Sequence, residues 1–436
     1  MGVGLVVLAW VIDTGHPDVF ARVKLRVAAG LAVLGVLLIA ILGRSMIRGW
    51  SVVDAVAGLY GLWSLAAFVA APDPGQQWSG ERYQFQGLAS VLVYLALYAT
   101  ARTLVETSED GADITWWIVA AATVPAVYGI LQWVGLDPVW DTLLDNRIFS
   151  TIGNPNTLGS VLVVGLPLGF GSFVWGSGRV RWVGGAATLI ILAAIVGTSS
   201  RGAFIGGAAA GVAMVVGAVV WRPPTRVRWG WLVGVVIVGG LAAVAYGPVR
   251  SELTGAVDRM TTALDSQDDS RRFHLDGWRV TLVMIADHPL FGVGHERFPD
   301  EFPAYRNRVL DAEGIARFSP YRLESPHNGP LAIAVGAGLP ALALYLGLVS
   351  GSLATLWASA WHPGTKVALT GAVTGHLVTS MFVTADLTSS SMFWMLLGAA
   401  ASAAARPGVS RGADGQVGES PEHGSGASDS GFVGSA

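Results

Sequence analysis

The sequence predicts an all-α fold: a polytopic transmembrane helical bundle with one large extracytoplasmic loop. Three observations predict it. Of 436 residues, 52% are hydrophobic and 13% charged, against about a quarter charged in soluble domains, and the mean hydropathy is +0.54. Apolar runs recur at lengths of about 17–23 residues, enough to cross a hydrocarbon core as helices. Helices are required because a lipid-exposed backbone must satisfy its own hydrogen bonds. Finally, 23 of the 57 Asp, Glu, Lys and Arg residues fall between Pro248 and His327, so one segment of about 80 residues keeps two fifths of the charge.

In chain order, spans are expected near 27–43, 51–71, 87–104, 114–135, 157–176, 182–199, 203–221, 229–247, 331–355, 366–384 and 388–405, with residues 1–12 as a shortened twelfth. The 57 glycines lie mostly inside these runs, where small residues let helices approach closely. This divides the chain into N-terminal helices (1–247), the large loop (248–327), C-terminal helices (328–405) and a Gly- and Ser-rich tail (406–436) that reads as a disordered cytoplasmic extension. Gly2 to Ile12 is short and lacks a basic leader, so no cleavable signal peptide is expected.

Orientation follows from Lys and Arg in the short connections. One set carries Arg44, Arg48, Arg102, Arg179, Arg181, Arg222, Arg226, Arg228, Lys366, Arg406 and Arg411; the other carries Arg22, Lys24, Arg26, Arg82 and Arg147. The first set reads as cytoplasmic, which puts the large loop on the outer side of the inner (plasma) membrane. The Arg22–Arg26 cluster then lies on the side that should hold few cations. Within the loop, apolar residues from Phe273 to Met284 recur at helical spacing and predict an amphipathic helix at the membrane surface. Phe298, Phe302 and Tyr305 continue the pattern, and Pro289 to Gly294 predicts a turn between the two.

Several function classes are disfavoured. No basic block or aromatic-basic interleaving suggests nucleic acid. There is no cysteine, hence no thiolate chemistry. No metal-ligand spacing or nucleotide-binding glycine loop is present, so neither metal nor nucleotide cofactor is expected.

The remaining candidates cluster at the loop side. Arg201, in Thr198-Ser199-Ser200-Arg201-Gly202, is either a turn arginine reaching headgroups or an anion clamp; guanidinium offers a planar fork to phosphate oxygens and keeps its charge. Arg271 and Arg272 are candidates for a second phosphate contact. His327, which ends the charged loop before a span, is the candidate proton acceptor, with Glu324 as a carboxylate that could set its tautomer and His274, His288 and His295 as rivals. Arg147, Asn154, Asn156 and Asn328 could line a glycan or acceptor site, although Asn154-Pro155-Asn156 is also a strong helix-entry signal.

Together, Gly153-Asn154-Pro155-Asn156, Ser200-Arg201-Gly202, Trp278 followed by Asp287-His288-Pro289-Leu290-Phe291-Gly292-Val293-Gly294, and His327-Asn328 followed by Gly336 and Gly338 resemble the O-antigen ligase / O-antigen polymerase family of bacterial membrane glycosyltransferases. The resemblance implies transfer of a glycan from a polyprenyl-diphosphate carrier, of the undecaprenyl kind, to a glycan or lipid acceptor at the outer face, without a metal, within an envelope-polysaccharide assembly. It implies that Arg201 and a loop arginine hold the diphosphate and that His327 assists the acceptor hydroxyl. Two positions depart from the pattern: His274 stands where the family often has arginine, and Gly329-Pro330 follows His-Asn where a bulky residue is common. The chief alternative is a membrane transporter for a small anion or solute; a scaffold without catalysis is a third. No midplane acid stands out, which favours the transferase.

Overall fold

The computed structural model describes residues 1–42, 51–80, 84–105, 108–140, 143–144, 146–222, 269–319, 322–384 and 386–403. Among these, regular structure is helical throughout: α1 Gly2–Trp10, α2 Ala21–Leu42, α3 Val52–Ala70, α4 Pro74–Ser79, α5 Leu88–Leu104, α6 Ser108–Trp133, α7 Pro155–Trp175, α8 Gly178–Thr198, α9 Arg201–Trp221, α10 Asp269–Asp287, α11 Phe298–Val309, α12 Ala312–Phe318, α13 Gly329–Ala358, α14 Pro363–Ser380 and α15 Leu387–Ser402. Seven are long and apolar enough to span a membrane, within α2, α3, α6, α7, α8, α9 and α13, and α5 is a shorter apolar helix. The expected span at 229–247 and the tail from 404 lie outside the described residues.

Most helices begin a few residues before their apolar runs do, because polar caps and a charged first turn precede the apolar stretch. The side chains of Asn154, Ser200, Asn328 and Asp386 accept backbone N–H bonds at the starts of α7, α9, α13 and α15, replacing partners that the first helical turn lacks. At the centre, every residue of α15 from Leu387 to Ser402 is buried. It packs on α5, α13 and α14, while α14 packs on α7 and α9 and α13 packs on α3.

The N-terminal cations that fit poorly with the orientation pattern have a local explanation. Lys24 is 4% exposed, and its Nζ donates to the carbonyls of Leu8 (2.9 Å), Ala9 (3.4 Å) and Val11 (3.1 Å). It caps the carbonyl end of α1, where a cation is favoured. Arg22 Nη1 lies 3.0 Å from His16 Nε2. These residues hold the α1–α2 hairpin together, so their charge is committed to the fold.

The loop forms a small body of its own. Helices α10 and α11 occur where the periodicity places them, and α12 adds Phe318. Val280, Met284, Val293, Phe298, Phe302 and Phe318 share one core with Ala334 and Val335 of α13. The principal apolar face of α10 thus packs on protein, not on a membrane surface as the sequence pattern alone suggests; Leu275 and Leu282 remain exposed.

This body is joined to the bundle at a break in α13. Gly338 has φ +85 and ψ 170 inside the helix. Pro340, two residues on, has no N–H to continue the ladder. The loop turn supplies partners: Leu339 N donates to Pro289 O at 2.8 Å and Val293 N to Val335 O at 2.8 Å. Trp63 of α3 donates from Nε1 to Ala337 O (3.1 Å) and stacks on Phe291 at 5.2 Å. Gly292, at φ +66, lies so close that a Cβ there would sit 2.4 Å from Val335 O. The Pro289–Gly294 turn and the Gly336–Gly338 pair are therefore two halves of one joint.

Candidate functional site

The joint holds the end of the loop, Ser325-Pro326-His327-Asn328, over the first turn of α13. Trp278 Nε1 of α10 donates to Pro326 O at 3.1 Å. Asn328 caps α13 through Leu331 N (3.0 Å), and its Nδ2 donates to Met381 O (3.3 Å). Its side chain is thereby spent on architecture. Between these anchors His327 adopts a left-handed backbone, φ +47.

His327 Nδ1 lies 2.8 Å from Thr384 Oγ1, which lies 2.9 Å from Ser325 Oγ; that oxygen also accepts the His327 N–H at 3.2 Å. Two assignments satisfy all three contacts, and only one leaves Nε2 free to accept a proton. In that one Nδ1–H donates to Thr384, Thr384 donates to Ser325, and Ser325 accepts twice, as a hydroxyl can. Nε2 then carries the lone pair. Glu324, expected to fix this tautomer, instead accepts from Gln84 Nε2 at 2.8 Å. The left-handed turn at His327 brings the imidazole to the α14–α15 connection, where Thr384 meets it. Burial, and secondarily the neighbouring His274, pushes the His327 pKa down to about 4, so the ring is neutral at ordinary pH.

His327 lines a cavity of about 340 Å³ with Asp18, Lys24, Gln84, Asn154, Glu324 and Asp386, and with the ring of Phe20. Asn154 thus has two tasks. Its Oδ1 accepts from Asn156 N at 2.8 Å as a helix cap, and it borders the space that His327 faces. Asn156 belongs to a different contact: its Oδ1 accepts from Arg147 Nη2 at 2.6 Å, while Arg147 Nε donates to Thr198 O at 2.7 Å. Arg147 and Asn156 brace the turn that leads into Arg201.

Arg201 is the first residue of α9, and its N-cap Ser200 accepts from Ala203 N. Its charge reaches His274, whose pKa is lowered by burial first and by Arg201 second. The His274 ring is 5.9 Å from that of His327 and 6.1 Å from Trp278. Arg201, His274 and His327 therefore form one sequence of neighbours. Because His274 is held neutral, it does not replace the charge of an arginine. Arg272 Nη1 pairs with Glu313 Oε1 at 3.0 Å within the loop body. Arg271 belongs to α10, but its side chain lies outside the described residues. Of the rival histidines, His288 lies 3.1 Å from Tyr305 Oη and His295 lies 3.0 Å from Ser64 O; neither borders the His327 cavity.

Three participants escape sequence reasoning. Thr384 and Gln84 belong to no motif, and only the fold brings them to His327 and Glu324. Lys24 left a signal, since it belonged to the cation cluster on the unexpected side. Among the described residues, no group of three or more His, Asp or Glu is arranged to hold a metal ion.

A helical bundle with several membrane-length helices and a docked polar loop, gathering histidine, arginine and amide side chains at one end, defines a multi-pass membrane protein with a polar site at its loop face. Residues 186–346 match the family described as O-Antigen ligase. The matched segment contains Arg201, the described part of the loop and His327, and it agrees with the O-antigen ligase/polymerase family that the motifs resemble. Comparison with curated proteins finds no match.

Proposed function

We propose that the chain transfers a glycan from a polyprenyl-diphosphate carrier to a hydroxyl acceptor at the outer face of the inner membrane. The observation that carries this reading is His327: a neutral imidazole pinned at Nδ1 by Thr384, bordering a cavity lined by carboxylates and amides, with Arg201 nearby across His274. The acceptor hydroxyl oxygen attacks the anomeric carbon and the bond from that carbon to the diphosphate oxygen breaks. The hydroxyl proton passes to His327 Nε2. The diphosphate leaves with the bonding electron pair, and Arg201 stabilises its growing charge. The proton on His327 is then released to the leaving group or to water. A single displacement of this kind inverts the anomeric centre.

The second phosphate contact is assigned to Arg271 or Arg272, the latter after release from Glu313. Glu324 would accept hydrogen bonds from acceptor hydroxyls, and Asn154 would donate one from Nδ2. Arg147, Asn156 and Asn328 support the site by holding the turns around it. Carrier and acceptor reach the site from the membrane, and the envelope-assembly proteins that supply the carrier are its natural partners. Asp54, the acid at a helix start that a transport reading would first turn to, accepts from Arg102 Nε at 3.1 Å and Nη2 at 3.2 Å.

The test is glycan transfer in vitro from a lipid-diphosphate oligosaccharide. Arg201→Ala and His327→Ala should each abolish transfer while the protein is still made and inserted. Full activity in either variant refutes the assigned role, and solute uptake into proteoliposomes by the unaltered chain would favour a transporter.

A further inference from the structure

The main apolar face of α10 packs on protein, but the turn after it leaves apolar side chains uncovered. Leu290 is 59% exposed and Phe291 37%. Phe291 stacks on Trp63 of α3. Beside Trp63, the exposed residues Leu59, Leu62, Ala66 and Val69 form a stripe on α3 at three- and four-residue spacing. On a helix long and apolar enough to span a membrane, this stripe is the face that meets lipid. Leu339 of α13, whose N–H binds Pro289 O, adds a further exposed apolar side chain. The turn therefore extends a lipid-facing surface; in water so continuous an apolar patch is rare.

Its depth and hydrogen bonding agree. Trp63 lies seven residues before Ala70, the last residue of α3, and so sits about 10 Å below the loop-side end of that helix. Irregular backbone is tolerated at such depth only where protein meets its polar groups. Leu290 O accepts from Trp63 Nε1 (3.3 Å) and Pro289 O from Leu339 N (2.8 Å), while Gly292 N donates to His288 O (3.1 Å) and Val293 N to Val335 O (2.8 Å). Just before the tip the surface becomes polar. Asp287 pairs with Arg308 at 2.7 Å, Arg308 lies over the Tyr305 ring at 4.7 Å, and Tyr305 Oη is 3.1 Å from His288 Nε2. Charges and a tyrosine bordering an apolar tip are the order found across a membrane–water interface.

We propose that the Leu290–Phe291 tip inserts into the acyl region of the leaflet on the loop side, with the Asp287–Arg308 pair and Tyr305 at headgroup level. Lipid then holds the loop body together with the bundle, at the depth where α13 breaks. The proposal is independent of the transferase reading.

Spin-label accessibility tests it. The chain has no cysteine, so a nitroxide on Leu290→Cys reports from one place. In proteoliposomes of phosphatidylethanolamine and phosphatidylglycerol, collisions with oxygen, which concentrates among acyl chains, are compared with collisions with a water-soluble nickel chelate. The oxygen-to-nickel ratio at 290 should match that of Leu62→Cys, on the lipid face of α3, and exceed several-fold that of Ala312→Cys, an exposed site on the loop body. Phe291→Cys serves where Leu290→Cys does not insert. A ratio like that at 312 would put the tip in water, and weak collision with both reagents would mean that protein covers it; either result overturns the proposal.

Discussion

Gly338→Ala tests the joint that places the loop over the site. At φ +85 an alanine already pays roughly 1–3 kcal/mol for a backbone region that L-residues avoid. The larger effect is steric. A Cβ at this position would sit 1.8 Å from Leu290 O, where real Cβ atoms come no closer than 3.0 Å. The turn must retreat by about 1.2 Å, which stretches the 2.8 Å bond from Leu339 N to Pro289 O to about 4 Å, outside hydrogen-bonding range. The bond from Val293 N to Val335 O, also 2.8 Å, belongs to the same contact and is strained with it. The two N–H groups whose bonds are lost or strained cost up to about 1–3 kcal/mol each. The total is up to about 3–9 kcal/mol, reduced to the extent that water enters the opened joint. Amide hydrogen exchange on purified protein should show lost protection at 289–294 and 335–339, with a thermal midpoint several degrees lower and much weaker glycan transfer. Wild-type protection and midpoint in Gly338→Ala would refute the argument that this break locks the loop.

Other consequences are accessible to similar measurements. Thr384→Val keeps the shape but removes the group at His327 Nδ1; turnover should fall about 10- to 100-fold with a displaced acid limb of the pH–rate profile, and Thr384→Ser should restore both, whereas a structural defect alone would lower the thermal midpoint without moving the limb. Because the folded pKa of His327 is depressed to about 4 from an unfolded value near 6.5, the unfolded chain binds the extra proton first as pH falls; the stability contribution of the neutral ring is full above about pH 6.5 and is lost toward pH 4. Activity should likewise hold from pH 8 to 6 and decline only in the acid range, so a midpoint near 6.5 in kcat would contradict the buried, neutral base. Lys24→Met leaves the carbonyls of Leu8, Ala9 and Val11 without their ammonium partner and should destabilise the chain by about 2–4 kcal/mol, read as a lower midpoint in detergent; an unchanged midpoint would remove the cap argument.

Much of this architecture is legible from composition and periodicity, because a membrane restricts the backbone to a few choices. The apolar runs beginning near 51, 87, 157, 203 and 331 each become a helix that starts within a few residues of that position. The amphipathic pattern after Phe273 becomes α10 for the same reason: burying one face of a helix imposes its spacing on the sequence. What remained hidden depends on pairings between distant segments. Nothing near Thr384 marks it as the partner of His327, 57 residues earlier. Glu324 was the natural guess on proximity, yet Gln84, 240 residues away, holds it. Gly292 is legible as turn chemistry and Gly338 only as part of the resemblance, and that they occupy the same joint follows only from three-dimensional contact.

The joint and the site impose different demands on the family motifs. Pro289 to Gly294, Gly336 and Gly338 contribute backbone shape, and Trp278 and Asn328 contribute anchors; none requires a reacting atom. Arg201 and His327 are chemically distinct, since one offers permanent positive charge and the other a neutral imidazole with Nδ1 beside Thr384. His274 lies between them and is kept neutral by burial and by Arg201 itself. A charged arginine at position 274 would face Arg201 and further depress the basicity of His327, so the histidine favours proton acceptance at the expense of phosphate binding. The missing positive charge must then come from elsewhere, and Arg271 and Arg272, one turn earlier on α10, are the nearest in sequence. Under the proposed mechanism the two tasks would separate along α10: phosphate binding would move toward its N-terminus, while the position beside His327 is left to a neutral ring.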